Sequence, residues 1–193
     1  MANRLARWTS VLFDSSVLSF PVFLAFGWIA ARAAGLAWAI LTLAIVTGIP
    51  LAYLLVGKRR GWVSDLEMSQ RAERPRFILV SAVSDAFALL LLCTFGAPHL
   101  LRLMVLTYLC LGVTMLAISR RWKISLHMVG VSGFSVAMVF VFGLPASIAF
   151  LSLPLVGWAR WHRRKHTLAQ LIAGALGGAL ITALVFGWLA RWW

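Results

Sequence analysis

Apolar residues in this chain fall into long unbroken runs rather than into a helical or strand period. The first extends from about Val11 to Ala31, after a start that carries Arg4 and Arg7. Six more follow: Gly35 to Val56, Ile78 to Gly96, Leu100 to Ile118, Ile124 to Gly143, a shorter run from Leu144 to Trp158, and Thr167 to Ala190. A helix needs about 20 residues to cross the hydrocarbon of a bilayer, so the pattern predicts an all-α integral membrane protein. The expected architecture is a bundle of six to seven transmembrane helices forming one transmembrane domain over residues 1–193. Pro21 is expected to bend the first span, and the Arg32 to Gly35 link is short enough for a tight helical hairpin. Pro145 and Pro154 make the sixth run less regular. The first run exceeds the roughly 7 to 15 apolar residues of a signal peptide, so an uncleaved first span is expected.

Composition strengthens this reading. Hydrophobic residues make up 62% of the chain and charged residues 12%, against about 25% charged in soluble domains. The formal charge of +13 would suggest nucleic acid in a soluble protein. Here the cations are confined to short loops, so membrane lipids are the expected partner and nucleic acid is not. All Lys and Arg except Arg32, Arg102 and Arg191 fall on one side of a seven-span topology, which places that side in the cytoplasm of a bacterial or archaeal cell. Trp62, Trp122, Trp158 and Trp161 flank that side and Trp188, Trp192 and Trp193 the other, as interfacial belts do. Cys93 and Cys110 lie inside apolar runs and read as small buried hydrophobes. Gly174-x3-Gly178, and Gly130 with Gly133, read as small-residue faces for close helix packing. Asp85 and Ser81, one helical turn apart, either line a cavity or bond between helices.

Chemistry concentrates in three polar loops. Arg160 and His166 lie six apart where one apolar run ends and the next begins, with Gln170 four residues further on. Lys123, Ser125 and His127 open the fifth run, and Arg71, Arg74 and Pro75 close the longest polar segment, which spans residues 58–77. Two spans separate Arg74 from Lys123 and two more separate Lys123 from Arg160, so a seven-span count brings all three loops to one side. His99 and His162 read as solvated.

This ordered set resembles the three signature motifs of the type 2 phosphatidic acid phosphatase superfamily over roughly residues 58–180. The third motif has Ser-Arg, five residues, His, three residues and Asp; here Ala159 replaces the Ser and Gln170 the Asp. The second has Pro-Ser-Gly-His, matched by Ser125-Leu126-His127, and the first has Lys, six residues and Arg-Pro, with Glu67 at the Lys position and Arg71 the nearest cation. The resemblance implies a metal-independent, cofactor-free phosphatase acting on a lipid phosphate or prenyl (di)phosphate. His166 would attack phosphorus to give a phosphohistidine and His127 would protonate the leaving alcohol. Arg71, Arg74, Lys123, Ser125 and Arg160 would hold the phosphate, and Gln170 would orient His166. Two other readings stay open: a non-catalytic lipid-phosphate binding or transport protein, and a prenyl-transferring enzyme with Mg2+ on Asp65, Glu67 and Glu73.

Overall fold

The computed structural model describes residues 2–191; Met1, the side chain of Arg191, and Trp192 and Trp193 of the expected interfacial belt lie outside the described residues. Every regular element among them is helical. Four helical stretches, Ser15–Arg59, Arg71–Thr94, His99–Ser119 and Leu168–Gly187, are long and apolar enough to cross a membrane, and the apolar helix Leu126–Phe142 is shorter. Many large apolar side chains on them face outward, Leu90 and Leu176 each with 66% of their surface exposed. Buried positions, by contrast, include Ser132, Ser135, Thr107 and Thr182. Small hydroxyl residues inside and leucine outside is the arrangement expected when the surrounding solvent is lipid.

The chain divides into two compact units, one formed by Ser19–Trp122 and the other by Met1–Leu18 with Lys123–Trp193. The first unit takes helix α2 (Ser15–Leu43, α1 being described below) from Ser19 onward; the helix has helical dihedrals through Pro21 but leaves them at Ala31 (φ −157°, ψ 28°) and Arg32 (φ 50°, ψ −129°). The break in the helix thus lies ten residues beyond Pro21. Beyond it the chain folds back so tightly that a Cβ on Gly27 would overlap the Gly35 carbonyl and meet Ala39 Cβ at 2.9 Å. This is the tight hairpin expected from the short link, made possible by two glycines in register. A π-helical turn, Ala44–Gly48, leads into α3 (Ile49–Arg59). Helices α4 (Arg74–Thr94) and α5 (His99–Ser119) form the unit's second hairpin.

The polar segment between α3 and α4 is folded on itself. Val63 and Met68 pack with Leu54 in a buried cluster bordered by Tyr53 and Phe77. Asp65 Oδ1 accepts the backbone N–H of Glu67 at 2.9 Å and of Ser69 at 3.3 Å, the habitual local bonding of aspartate in turns. Glu73 accepts both the N–H and the hydroxyl of Ser64, at 3.0 and 3.1 Å.

In the second unit, α1 (Ala2–Leu12) is a helix of its own. The first span therefore begins at Ser15 and not at Val11. The reason is Asp14, whose carboxylate accepts the Ser16 N–H at 2.9 Å and starts a new helix. Helix α6 (Leu126–Phe142), capped by Ser125, begins two residues later than the apolar run suggests. The sixth run is a 3-10 helix, Leu144–Leu151, followed by α7 (Ser152–His162). Helix α8 (Leu168–Gly187) is three residues shorter at its end than the run that encodes it. Helices α6 and α8 make the closest pair: a Cβ on Gly174 would lie 2.7 Å from the Ser125 carbonyl oxygen, and one on Gly178 would overlap the Val129 carbonyl and the Ser132 hydroxyl. Met128, Val131, Val156 and Leu171 form the buried core between α6, α7 and α8.

Candidate functional site

The turn from α7 to α8 carries the first group of site residues. Helix α7 closes with the Arg164 N–H on the Trp161 carbonyl at 2.8 Å and the Lys165 N–H on the Arg160 carbonyl at 3.0 Å. Arg164 sits at φ 52°, so the pair of bonds and the left-handed residue form a Schellman closure with arginine where glycine is usual. That closure leaves room for only His166 before Thr167, the N-cap of α8. Thr167 and Gln170 form a reciprocal capping box: the Thr167 hydroxyl accepts the Gln170 N–H at 3.4 Å, and Gln170 Oε1 accepts the Thr167 N–H at 3.2 Å.

The same Gln170 oxygen lies 3.1 Å from His166 Nδ1. An amide oxygen only accepts hydrogen bonds, and the capping box fixes that oxygen, not the NH2 group, toward the ring. Nδ1 therefore carries the hydrogen in the neutral imidazole, and the lone pair is on Nε2. His166 is 6% exposed, and Arg160, in the last turn of α7, is 1% exposed. A guanidinium removed from water in this way requires partners for its charge.

A second group surrounds the start of α6. The Ser125 N–H donates to the Gln170 carbonyl at 3.3 Å, which ties the cap of α6 to the first turn of α8. The Ser125 hydroxyl is used as the cap, accepting the Met128 N–H at 3.5 Å. Lys123 is half-buried just before it. His127 Nε2 lies 3.1 Å from the Ser10 carbonyl oxygen and 3.3 Å from Asp14 Oδ2. Within this unit the structure thus gathers Ser125, His166 and Gln170 at the α6 and α8 starts and gives His127 a carboxylate partner from the α1–α2 junction. In the sequence the only signal of Asp14 is an acid near the start of an apolar run, followed by Ser15 and Ser16.

Other candidate residues make local contacts. Arg71 Nη1 donates to the Arg121 carbonyl at 2.7 Å and the Arg120 carbonyl at 3.4 Å, closing the end of α5. Arg74, 2% exposed, donates from Nε to the Met68 carbonyl at 3.0 Å. His162 is exposed, bonds Asn3 Oδ1 at 2.9 Å and stacks on Trp158 at 5.4 Å, so it is a tie between α1 and α7 and not merely solvated. Asp65 and Glu73 spend their carboxylates on the loop that holds them, and among the described residues no three His, Cys, Asp or Glu side chains are grouped to hold a metal ion. Compared with family models, curated proteins and solved structures, the chain matches none.

Proposed function

We propose that this protein is a membrane-embedded phosphatase that hydrolyses a lipid phosphate or prenyl (di)phosphate without a metal, using His166 as nucleophile. The observation that carries the reading is the Gln170 oxygen on His166 Nδ1 at 3.1 Å, because it leaves the lone pair on Nε2, as in-line attack on phosphorus requires. As the Nε2–P bond forms, the P–O bond to the lipid alcohol breaks and the leaving oxygen takes a proton from His127. Water then attacks the phosphohistidine, His127 takes back a proton, and cleavage of the N–P bond returns neutral His166. Arg160 and Lys123 supply cations for the phosphoryl oxygens, and Arg is suited to this by its bidentate fork.

The architecture proposed with this chemistry has seven crossings. The Ser15–Arg59 stretch has 45 residues and would span about 68 Å as one straight helix, more than twice the hydrocarbon thickness. Its break at Ala31 and Arg32 makes it two crossings; α4, α5, α6, the 3-10 helix with α7, and α8 make five more. The basic loops then lie on the cytoplasmic face.

Phosphate release from a panel of lipid phosphates by the purified protein in detergent tests the reading. Turnover that survives a chelator and is lost in His166→Ala is the expected result. Gln170 brings no negative charge to stabilise an imidazolium, and that observation favours one alternative, a protein that binds lipid phosphates without turning them over. Binding without release in the parent would establish it.

A further inference from the structure

We infer that Asp14 is the positioning residue for His127, the proton donor of the reaction proposed above, on which reading this inference rests. The local backbone builds the pair. In an uninterrupted helix the Asp14 N–H would take the Ser10 carbonyl four residues back. Here it takes the Val11 carbonyl instead, at 3.2 Å. The break between α1 and α2 therefore releases the Ser10 carbonyl and turns the Asp14 side chain out of the helix at the same point. Both acceptors meet one nitrogen, His127 Nε2, at 3.1 and 3.3 Å.

Each acceptor has its own task. A carbonyl only accepts, so Ser10 fixes Nε2 as the nitrogen that always carries hydrogen. The proton exchanged in the reaction is then the one on Nδ1. Asp14 supplies the negative charge that an imidazolium needs inside a buried site, and its second oxygen is held by the Ser16 N–H at 2.9 Å, so the carboxylate is fixed from both sides. The cycle balances: the imidazolium gives its Nδ1 proton to the leaving alkoxide, rests as the Nε2–H tautomer on the Ser10 carbonyl, and recovers a proton at Nδ1 from the attacking water. Asp14 never transfers a proton itself.

The test separates charge from capping. Asparagine caps a helix about as well as aspartate, so Asp14→Asn keeps the start of α2 and removes the anion; Asp14→Ser is a second variant with the same property. Substrates are an alkyl lipid phosphate, whose alcohol needs a proton to leave, and an aryl phosphate, whose phenolate does not. Asp14→Asn is expected to lower kcat on the alkyl ester about 10- to 100-fold and on the aryl ester within about threefold. In His127→Ala, adding Asp14→Asn should change nothing further. Equal losses on both esters, or no loss on either while His127→Ala remains slow, would overturn the role of Asp14 and leave the phosphatase standing. A readout independent of turnover is the 15N resonances of the His127 ring, assigned by comparison with His127→Ala. They are expected to move in Asp14→Asn, and unmoved resonances overturn the pair. A parent without phosphatase activity whose His127 resonances still respond to Asp14→Asn would instead overturn the reaction, and with it the acid role.

Discussion

Two polar regions of this molecule draw on the same residue types and use them in opposite ways. In the segment between α3 and α4, charged side chains are spent on backbone: Asp65 and Glu73 accept nearby N–H groups, and Arg71 and Arg74 donate to carbonyls. Around the starts of α6 and α8, two imidazoles are engaged as well, His127 Nε2 by the Ser10 carbonyl and the Asp14 carboxylate and His166 Nδ1 by the Gln170 oxygen. A carboxylate that accepts only from its own loop is a structural tie, whereas Asp14 also meets an imidazole. An imidazole whose tautomer is fixed by an acceptor on one nitrogen is defined for proton or phosphoryl chemistry at the other. The count of cations in a loop is therefore less informative than what their neighbours do with them.

The steepest contrast lies within one turn of chain. On the proposed mechanism, His166→Ala should lower lipid phosphate turnover by about 10³-fold or more, as loss of a nucleophile would. His162→Ala, four residues earlier, should stay within about threefold, because that ring stacks on Trp158 and ties α7 to Asn3. Phosphate release measured side by side decides it, and equal losses would show that the turn acts as a scaffold.

Packing of the α6–α8 pair comes next in size. Gly178→Leu would drive a side chain into the Val129 carbonyl and the Ser132 hydroxyl, an overpacking that costs about 1 to 3 kcal/mol. Thermal unfolding in detergent should show the loss. Since Ser125 is tied to Gln170 across the same pair, turnover should fall with it.

How far the site could be read from the chain depends on sequence distance. The apolar runs gave the helices because lipid imposes length and polarity on every crossing. The hairpin at Arg32 was legible from its short link, and the small-residue face of Gly174 and Gly178 from its four-residue spacing. The separation of α1 from α2 was not, since Val11 and Leu12 continue the apolar run and only the Asp14 carboxylate on Ser16 ends it. The Asp14–His127 contact spans more than a hundred residues, and no local pattern encodes such a pair. The capping box of Thr167 and Gln170 is legible as Thr-x-x-Gln, and the structure adds it to the contact of Gln170 with His166. Arg71 on the end of α5 joins residues about fifty apart, a contact that no local pattern encodes.

The double use of Gln170 gives a graded test. Gln170→Ala removes both the side-chain half of the capping box and the acceptor on His166, and should cost about 1 kcal/mol of stability and about tenfold in kcat. Gln170→Glu keeps the length and acceptor that a capping box needs and adds the negative charge that an imidazolium favours. Its kcat should equal or exceed the parent's. A loss as large as that of alanine would mean that the His166 contact does not govern the ring's chemistry.

The smallest effect tests the other side of the comparison, the claim that the α3–α4 segment is built for itself. The Ser64 hydroxyl donates to one oxygen of Glu73 at 3.1 Å while the Ser64 N–H holds the other at 3.0 Å. Ser64→Ala removes the first bond and keeps the second. Because the group is exposed and water replaces the partner, the cost should be about 0.5 kcal/mol, equivalent to roughly a twofold rise in opening of the segment. Limited proteolysis at Arg71 is the suitable measure, since cleavage there requires release from the α5 carbonyls. Turnover should match the parent. A tenfold loss of turnover without a change in proteolysis would mean that this segment takes part in the reaction, and the contrast between a self-satisfied loop and a chemically poised one would fail.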